Sequence, residues 1–177
     1  MSLAFPTALR PTYDHLSTVS SAVAQRYVEG ATVLQPAFTP AECATWTQYC
    51  LQLAQSGWRT WECADVFLQL SPLLLQRLAA DDLWTWAEHG VALARYSAEV
   101  AAAFLQAAKP LLQSPWHSVF APWVAGSRAY LEPRPFLALA AEYFRLSPHI
   151  YGHYAVPTAT HWGQLGAEFA RAGVSYG

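Results

Sequence analysis

Charge is scarce in this 177-residue chain: Lys, Arg, Asp and Glu make up 12% of it, against roughly 25% in an ordinary soluble domain. What charge there is nearly balances, ten basic against twelve acidic residues for a net charge of -2. A nucleic-acid binder would carry a basic stripe and a polybasic membrane-surface protein a basic cluster, so both classes are excluded. Lysine is almost absent, with Lys109 alone against nine arginines. Cysteine is sparse: Cys43, Cys50 and Cys63 are odd in number and form no Cys-x-x-Cys pair. That excludes a disulfide framework and a Cys-rich zinc site, and fits small buried residues of a reduced, cytoplasmic protein. No basic stretch followed by an apolar run opens the chain, so no secretory signal is read. The uncharged apolar-looking stretch Pro110 to Ser127, after Lys109, is broken by Pro115, Pro122, His117 and glutamine, which argues against a membrane span. Also missing are a Gly-rich phosphate loop, a Gly-x-Ser-x-Gly elbow and a Walker-type lysine. No catalytic signature results, so neither an enzyme nor a cofactor is expected.

Apolar and aromatic residues are abundant. Hydrophobic residues reach 54% and aromatics 14%, with eight tryptophans. Disorder is excluded, and one well-filled domain or a short array of repeats fits the length.

The periodicity is helical throughout. Residues 1–13 hold two prolines and read as an arm, with one helical domain over 14–177. Leu16, Val19, Val23 and Tyr27 place a first helix over about Asp14–Glu29, stopped at Gly30. Thr39-Pro40-Ala41-Glu42 is a capping box for the next. A helix is expected from Trp58 to Leu70. Ser71-Pro72, Ser114-Pro115 and Ser147-Pro148 each read as a helix start, serine capping and proline opening. Asp81 or Asp82, and Ser97, read as further caps. A helix after Ser114-Pro115 would bend at Pro122. Pro133 and Pro135 precede another, running to about Leu146. The last starts at Thr158, with Trp162, Leu165, Gly166 and Phe169 facing inward.

The pattern repeats. Trp46, Cys50 and Ala54 precede Phe67 and Pro72; Trp86, Gly90 and Ala94 precede Phe104 and Pro110. Trp123, Ser127 and Leu131 precede Tyr143-Phe144 and Pro148, and Trp162, Gly166 and Ala170 open a partial fourth copy. Trp46, Trp86, Trp123 and Trp162 are nearly evenly spaced, and Pro72, Pro110 and Pro148 follow the first three at a near-constant interval. A Trp followed by small residues four and eight positions on makes one helix stripe that a neighbouring helix can approach closely. A helical hairpin of this kind buries both faces only when stacked. The expected fold is therefore all-α, an α-solenoid of HEAT/armadillo type with a period of roughly 40 residues. The units run over about 38–78, 79–115, 116–157 and a partial 158–177. An ordinary helical bundle is the alternative.

The order Trp, small residue, Leu-Ala, Phe, then Ser-Pro-x-Leu resembles a known family. It is similar to the helical region preceding the von Willebrand factor A domain in nitric oxide reductase activation (NorD-like) and Rubisco activase adaptor (CbbO-like) proteins. Phe67-Leu68-Gln69-Leu70-Ser71-Pro72-Leu73-Leu74 and Trp86 to Ala94 carry the resemblance, which spans about Phe38 to Gly173. The resemblance implies a scaffold or adaptor role beside a ring ATPase or its client. The metal-binding Asp-x-Ser-x-Ser motif of the von Willebrand domain is absent here, so metal-dependent adhesion does not carry over.

Few residues stand outside the repeat as candidates for chemistry. His149 and His153 share a helical face at i and i+4, with His161 nearby, a spacing that can hold a metal or, with the aromatics, a haem or pigment. No Glu follows His149, so the metalloprotease pattern is absent. Polar surface or aromatic packing is the plainer role for these histidines. Arg128, Arg134 and Arg145 form a loose basic group able to meet an acidic partner, or simply a solvated face. Partnership with another protein or self-association is the expected task.

Overall fold

The computed structural model describes residues 9–112, 116–131 and 137–172. Every regular element among them is helical. The α-helices are α1 (Arg10–Val19), α2 (Ser21–Leu34), α3 (Pro40–Gln55), α4 (Trp61–Leu75) and α5 (Ala80–Ala94), then α6 (Ala98–Leu111), α7 (Phe120–Ser127), α8 (Leu137–His153) and α9 (Val156–Ala172). Short 3-10 turns occupy Trp116–Val119 and Arg128–Tyr130.

Several boundaries differ from the sequence reading. Arg10 to Tyr13 belong to α1, so the expected arm is shorter, and residues 1–8 lie outside the described residues. The single first helix is two, because Ser20 adopts an extended conformation and its hydroxyl accepts from Val23 N at 3.4 Å. Gly30 lies inside α2, with Trp46 packed so close that a Cβ there would sit 3.0 Å from the indole. Asp81 and Asp82 occupy the first turn of α5 behind Ala79, where their charge meets the helix dipole without capping. The Thr39–Glu42 capping box and the Ser97 cap form as expected. Pro122 sits in the first turn of α7, where a missing N–H costs nothing, so no bend is needed.

The largest difference concerns the Ser-Pro pairs. Pro72, Pro110 and Pro148 do not start helices; they lie inside α4, α6 and α8. Ser114-Pro115 lies outside the described residues, as do Pro133 and Pro135. A proline inside a helix leaves the carbonyl four residues back without its donor. Ser147 repairs this: its hydroxyl donates to Phe144 O at 3.0 Å, the carbonyl that Pro148 leaves open. The same oxygen accepts the indole N–H of Trp123 at 2.8 Å. Ser71 accepts from Trp46 Nε1 at the same distance. These serines are buried junctions between helices rather than caps.

Packing proceeds in series. Helix α2 packs on α4, α4 on α6 and α6 on α8, while α3 packs on α5, α5 on α7 and α7 on α9. Sequential partners α1/α2, α3/α4, α5/α6 and α8/α9 also touch. An aromatic ladder runs through this arrangement. Tyr27 stacks on Trp46, Phe67 on Trp86, Phe104 on Trp123 and Tyr143 on Trp162, at centroid separations of 5.3, 5.7, 5.0 and 5.3 Å. The interval along the chain from ring to Trp is the same in all four pairs. In the third unit the stacking ring is Tyr143, not Phe144, which instead meets Phe104 edge-on at 5.1 Å. The small residue after each Trp is buried in all four units: Cys50, Gly90, Ser127 and Gly166. At Gly90 the reason is direct, since a Cβ would stand 2.7 Å from Leu105 Cδ2.

Candidate functional site

The repeat positions form core. Trp46, Trp86, Trp123, Phe67, Phe104 and Phe144 are all buried, as are Cys50, Ala54 and Ala94. Burial pushes the Cys50 thiol well up and the Cys63 thiol to about 12, the latter with help from Glu62. Cys63 donates its S–H to Ala98 O at 3.3 Å. Neither is poised as a nucleophile.

His149 and His153 come together on the last turns of α8, with ring centroids 4.1 Å apart. His153 Nδ1 lies 2.8 Å from His149 O, and since a carbonyl only accepts, Nδ1 carries a proton and donates it. Both rings are exposed, so they do not line an aromatic pocket of the kind a haem or pigment would need. His161 is on α9, and among the described residues no group of three or more His, Cys, Asp or Glu could hold a metal ion. Of the arginines, Arg128 lies near His89 and Arg145 carries ion pairs of its own. Arg145 pairs with Glu99 at 2.6 Å and Glu142 at 3.6 Å, tying α8 to α6 across the surface. Arg134 lies outside the described residues.

Sequence reasoning missed His89. It is buried on α5, with Nδ1 2.8 Å from Ser127 Oγ. Ser127 spends its own proton on Val124 O at 2.6 Å, so His89 must donate to it as the Nδ1–H tautomer. Burial holds the His89 pKa below its ordinary value, and Arg128 adds to this against the opposing pull of Glu88 and Val124 O. No periodicity argument flags a lone histidine whose partner is 38 residues away.

The helix expected to start at Trp58 starts instead at Trp61, and Trp58 lies in the turn before it, 87% exposed. Its neighbour Arg59 has a left-handed φ of 63° and stands 5.7 Å from the Trp58 ring while bonding Glu62. A strained residue without glycine's freedom marks this turn as fixed by its surroundings.

The most distinctive surface lies between α8 and α9. Seven positions after each Trp, Leu53, Leu93 and Tyr130 are 0, 1 and 0% exposed, but Phe169 is 40% exposed. Three positions after the ladder aromatic, Leu70 is 5% exposed and Leu146 44%. Trp162 is only half-buried and Leu165 is exposed, which corrects the expectation that Leu165 and Phe169 face inward. Helix α9 buries Ala159, Gly163, Gly166, Ala167 and Ala170 against its neighbours, while Leu165 and Phe169 stay partly exposed. Between the two helices runs a groove of about 420 Å³, walled by Leu139, Leu146 and Trp162, floored by Tyr143 and Gly166, with Glu142 at its edge. Burial, with the Tyr151 and Tyr130 hydroxyls beside it, pushes the Tyr143 pKa up and keeps that side chain neutral.

Compared with protein-family models, curated proteins and solved structures, the chain matches none. Among the described residues, no helix is long and apolar enough to cross a membrane.

Proposed function

We propose that the protein is a non-catalytic interaction scaffold, a stack of helical hairpins forming an α-solenoid with a period of roughly 40 residues. The observation that carries this reading is the open α8–α9 groove, whose repeat-equivalent positions are buried elsewhere in the chain. Contiguous exposed apolar surface of this kind marks interfaces. The series packing of alternate helices and the constant ladder spacing support the solenoid geometry. The resemblance to NorD-like and CbbO-like helical regions makes a ring ATPase or a von Willebrand-domain protein the expected kind of partner. The test is affinity capture from native lysate with sedimentation of the purified chain. Stoichiometric recovery of such a partner, or concentration-dependent self-association, is expected. A strict monomer at high concentration that captures nothing would refute the reading.

A second reading rests on the His149–His153 pair. An imidazole whose Nδ1–H is held by a backbone carbonyl presents Nε2 to a metal, and a neighbouring ring can supply a second nitrogen. A two-nitrogen surface chelate would favour Cu(II) over Zn(II). Elemental analysis and metal-dependent melting test it. A metal-free protein whose melting no divalent ion shifts would exclude it.

A further inference from the structure

Resting on the scaffold reading, we propose that the α8–α9 groove binds an amphipathic helix supplied in trans. That helix carries an aromatic residue and, three or four positions later, a serine or threonine.

The argument is continuity with interfaces already present in the chain. Helix α4 seats against both α2 and α3, and α6 seats against both α4 and α5. Helix α8 in turn packs on α6, so a helix lying in the α8–α9 groove would extend that succession, and the groove's lining shows what it lacks. In the first seat, Phe67 of α4 lies 6.2 Å from Trp46 and Ser71 takes the Trp46 indole N–H. In the third unit, Ser147 takes the Trp123 N–H three residues after Phe144. Trp162 occupies the same ladder position, stacked on Tyr143, with its outer side half-open. An arriving helix with the Phe-x-x-x-Ser pattern of α4 would cover Leu139, Leu146 and Trp162 and offer the indole a hydroxyl.

The test uses a fluorescein-labelled peptide of residues 61–78 of this chain, which contains Phe67 and Ser71, titrated with the full chain and read by anisotropy. Saturable binding is expected. Leu146→Glu and Leu146→Arg change an exposed position and leave the fold intact, as melting would verify; each should weaken the peptide about tenfold or more by forcing charge into an apolar seat. Ser71→Ala in the peptide should weaken it several-fold, and Trp58→Ala in the protein should change nothing. Absence of saturable binding, or equal loss in Trp58→Ala, overturns the proposal. So does a dimer that Leu146→Glu dissociates without any peptide binding, since the face would then belong to a second copy. Native-partner capture that survives both charge substitutions overturns the groove while leaving the scaffold reading intact.

Discussion

Ser147→Ala should be among the most damaging single-atom deletions in the protein. The Ser147 hydroxyl serves two buried groups, accepting from Trp123 Nε1 and donating to the Phe144 carbonyl that Pro148 leaves open. A buried polar group stripped of its partner costs about 1–3 kcal/mol. With two groups stranded, the loss should be about 2–4 kcal/mol, or about 5–12 °C in Tm for a chain of this size. Ser71→Ala strands the Trp46 indole and should cost about 1–2 kcal/mol. The middle unit supplies the opposite sign. Trp86 Nε1 is buried and has no hydrogen-bond partner among the described residues. Ser71 and Ser147 each lie four residues after their ladder aromatic, Phe67 and Tyr143; the residue four after Phe104 is Ala108, which is fully buried. Ala108→Ser should therefore give Trp86 an acceptor and raise stability by about 1 kcal/mol. Urea unfolding followed by circular dichroism, with m unchanged across the set, measures all three. The reasoning fails if Ser147→Ala costs less than about 0.5 kcal/mol, the range of an ordinary surface substitution. It fails equally if Ala108→Ser destabilises as much as Ser147→Ala.

Further outcomes follow from other sites. Gly90→Ala should lose about 1–2 kcal/mol in thermal unfolding, because the 2.7 Å approach to Leu105 outweighs alanine's better helix propensity. Arg59→Gly relieves a left-handed φ of 63° and gives up a surface ion pair with Glu62, so it should raise stability by up to about 1 kcal/mol, whereas Arg59→Val should lower it. His89 has a folded-state pKa below its ordinary 6.5, so the unfolded chain binds the proton more readily. Its contribution to stability is complete above pH 6.5 and declines as pH falls from there through the lowered value. His89→Gln should flatten this part of the stability–pH curve, which chemical denaturation between pH 4 and 8 would reveal as an unchanged midpoint. A variant curve as steep as the parent's would show that other groups control the acid limb.

How much of this was legible in the sequence depends on the range of each interaction. The Thr39–Glu42 box and the Ser97 cap are made within four residues, and both were readable. The Trp spacing was visible too, though the ring each Trp stacks on lies upstream, where the repeat pattern points to a downstream aromatic. The Ser-Pro pairs misled because the same dipeptide serves as a helix start or as an internal junction. What decides between them is an indole 24 or 25 residues away, which supplies the serine with a buried donor. His89 and Ser127 were unreadable for the same reason. The α8–α9 groove is a different case. Leu165 has the right periodicity to face a core, but periodicity shows which face is apolar and not how deeply a neighbour buries it.

The direction of the aromatic ladder bears on how the chain acquires its structure. Each Trp stacks on a ring that precedes it by the same short interval, so its partner has already been synthesised when the indole emerges. Closing loops this short costs little entropy, and contacts local in sequence go with fast folding. The core can thus be laid down from the N-terminus as translation proceeds, each new pair of helices docking on a finished surface.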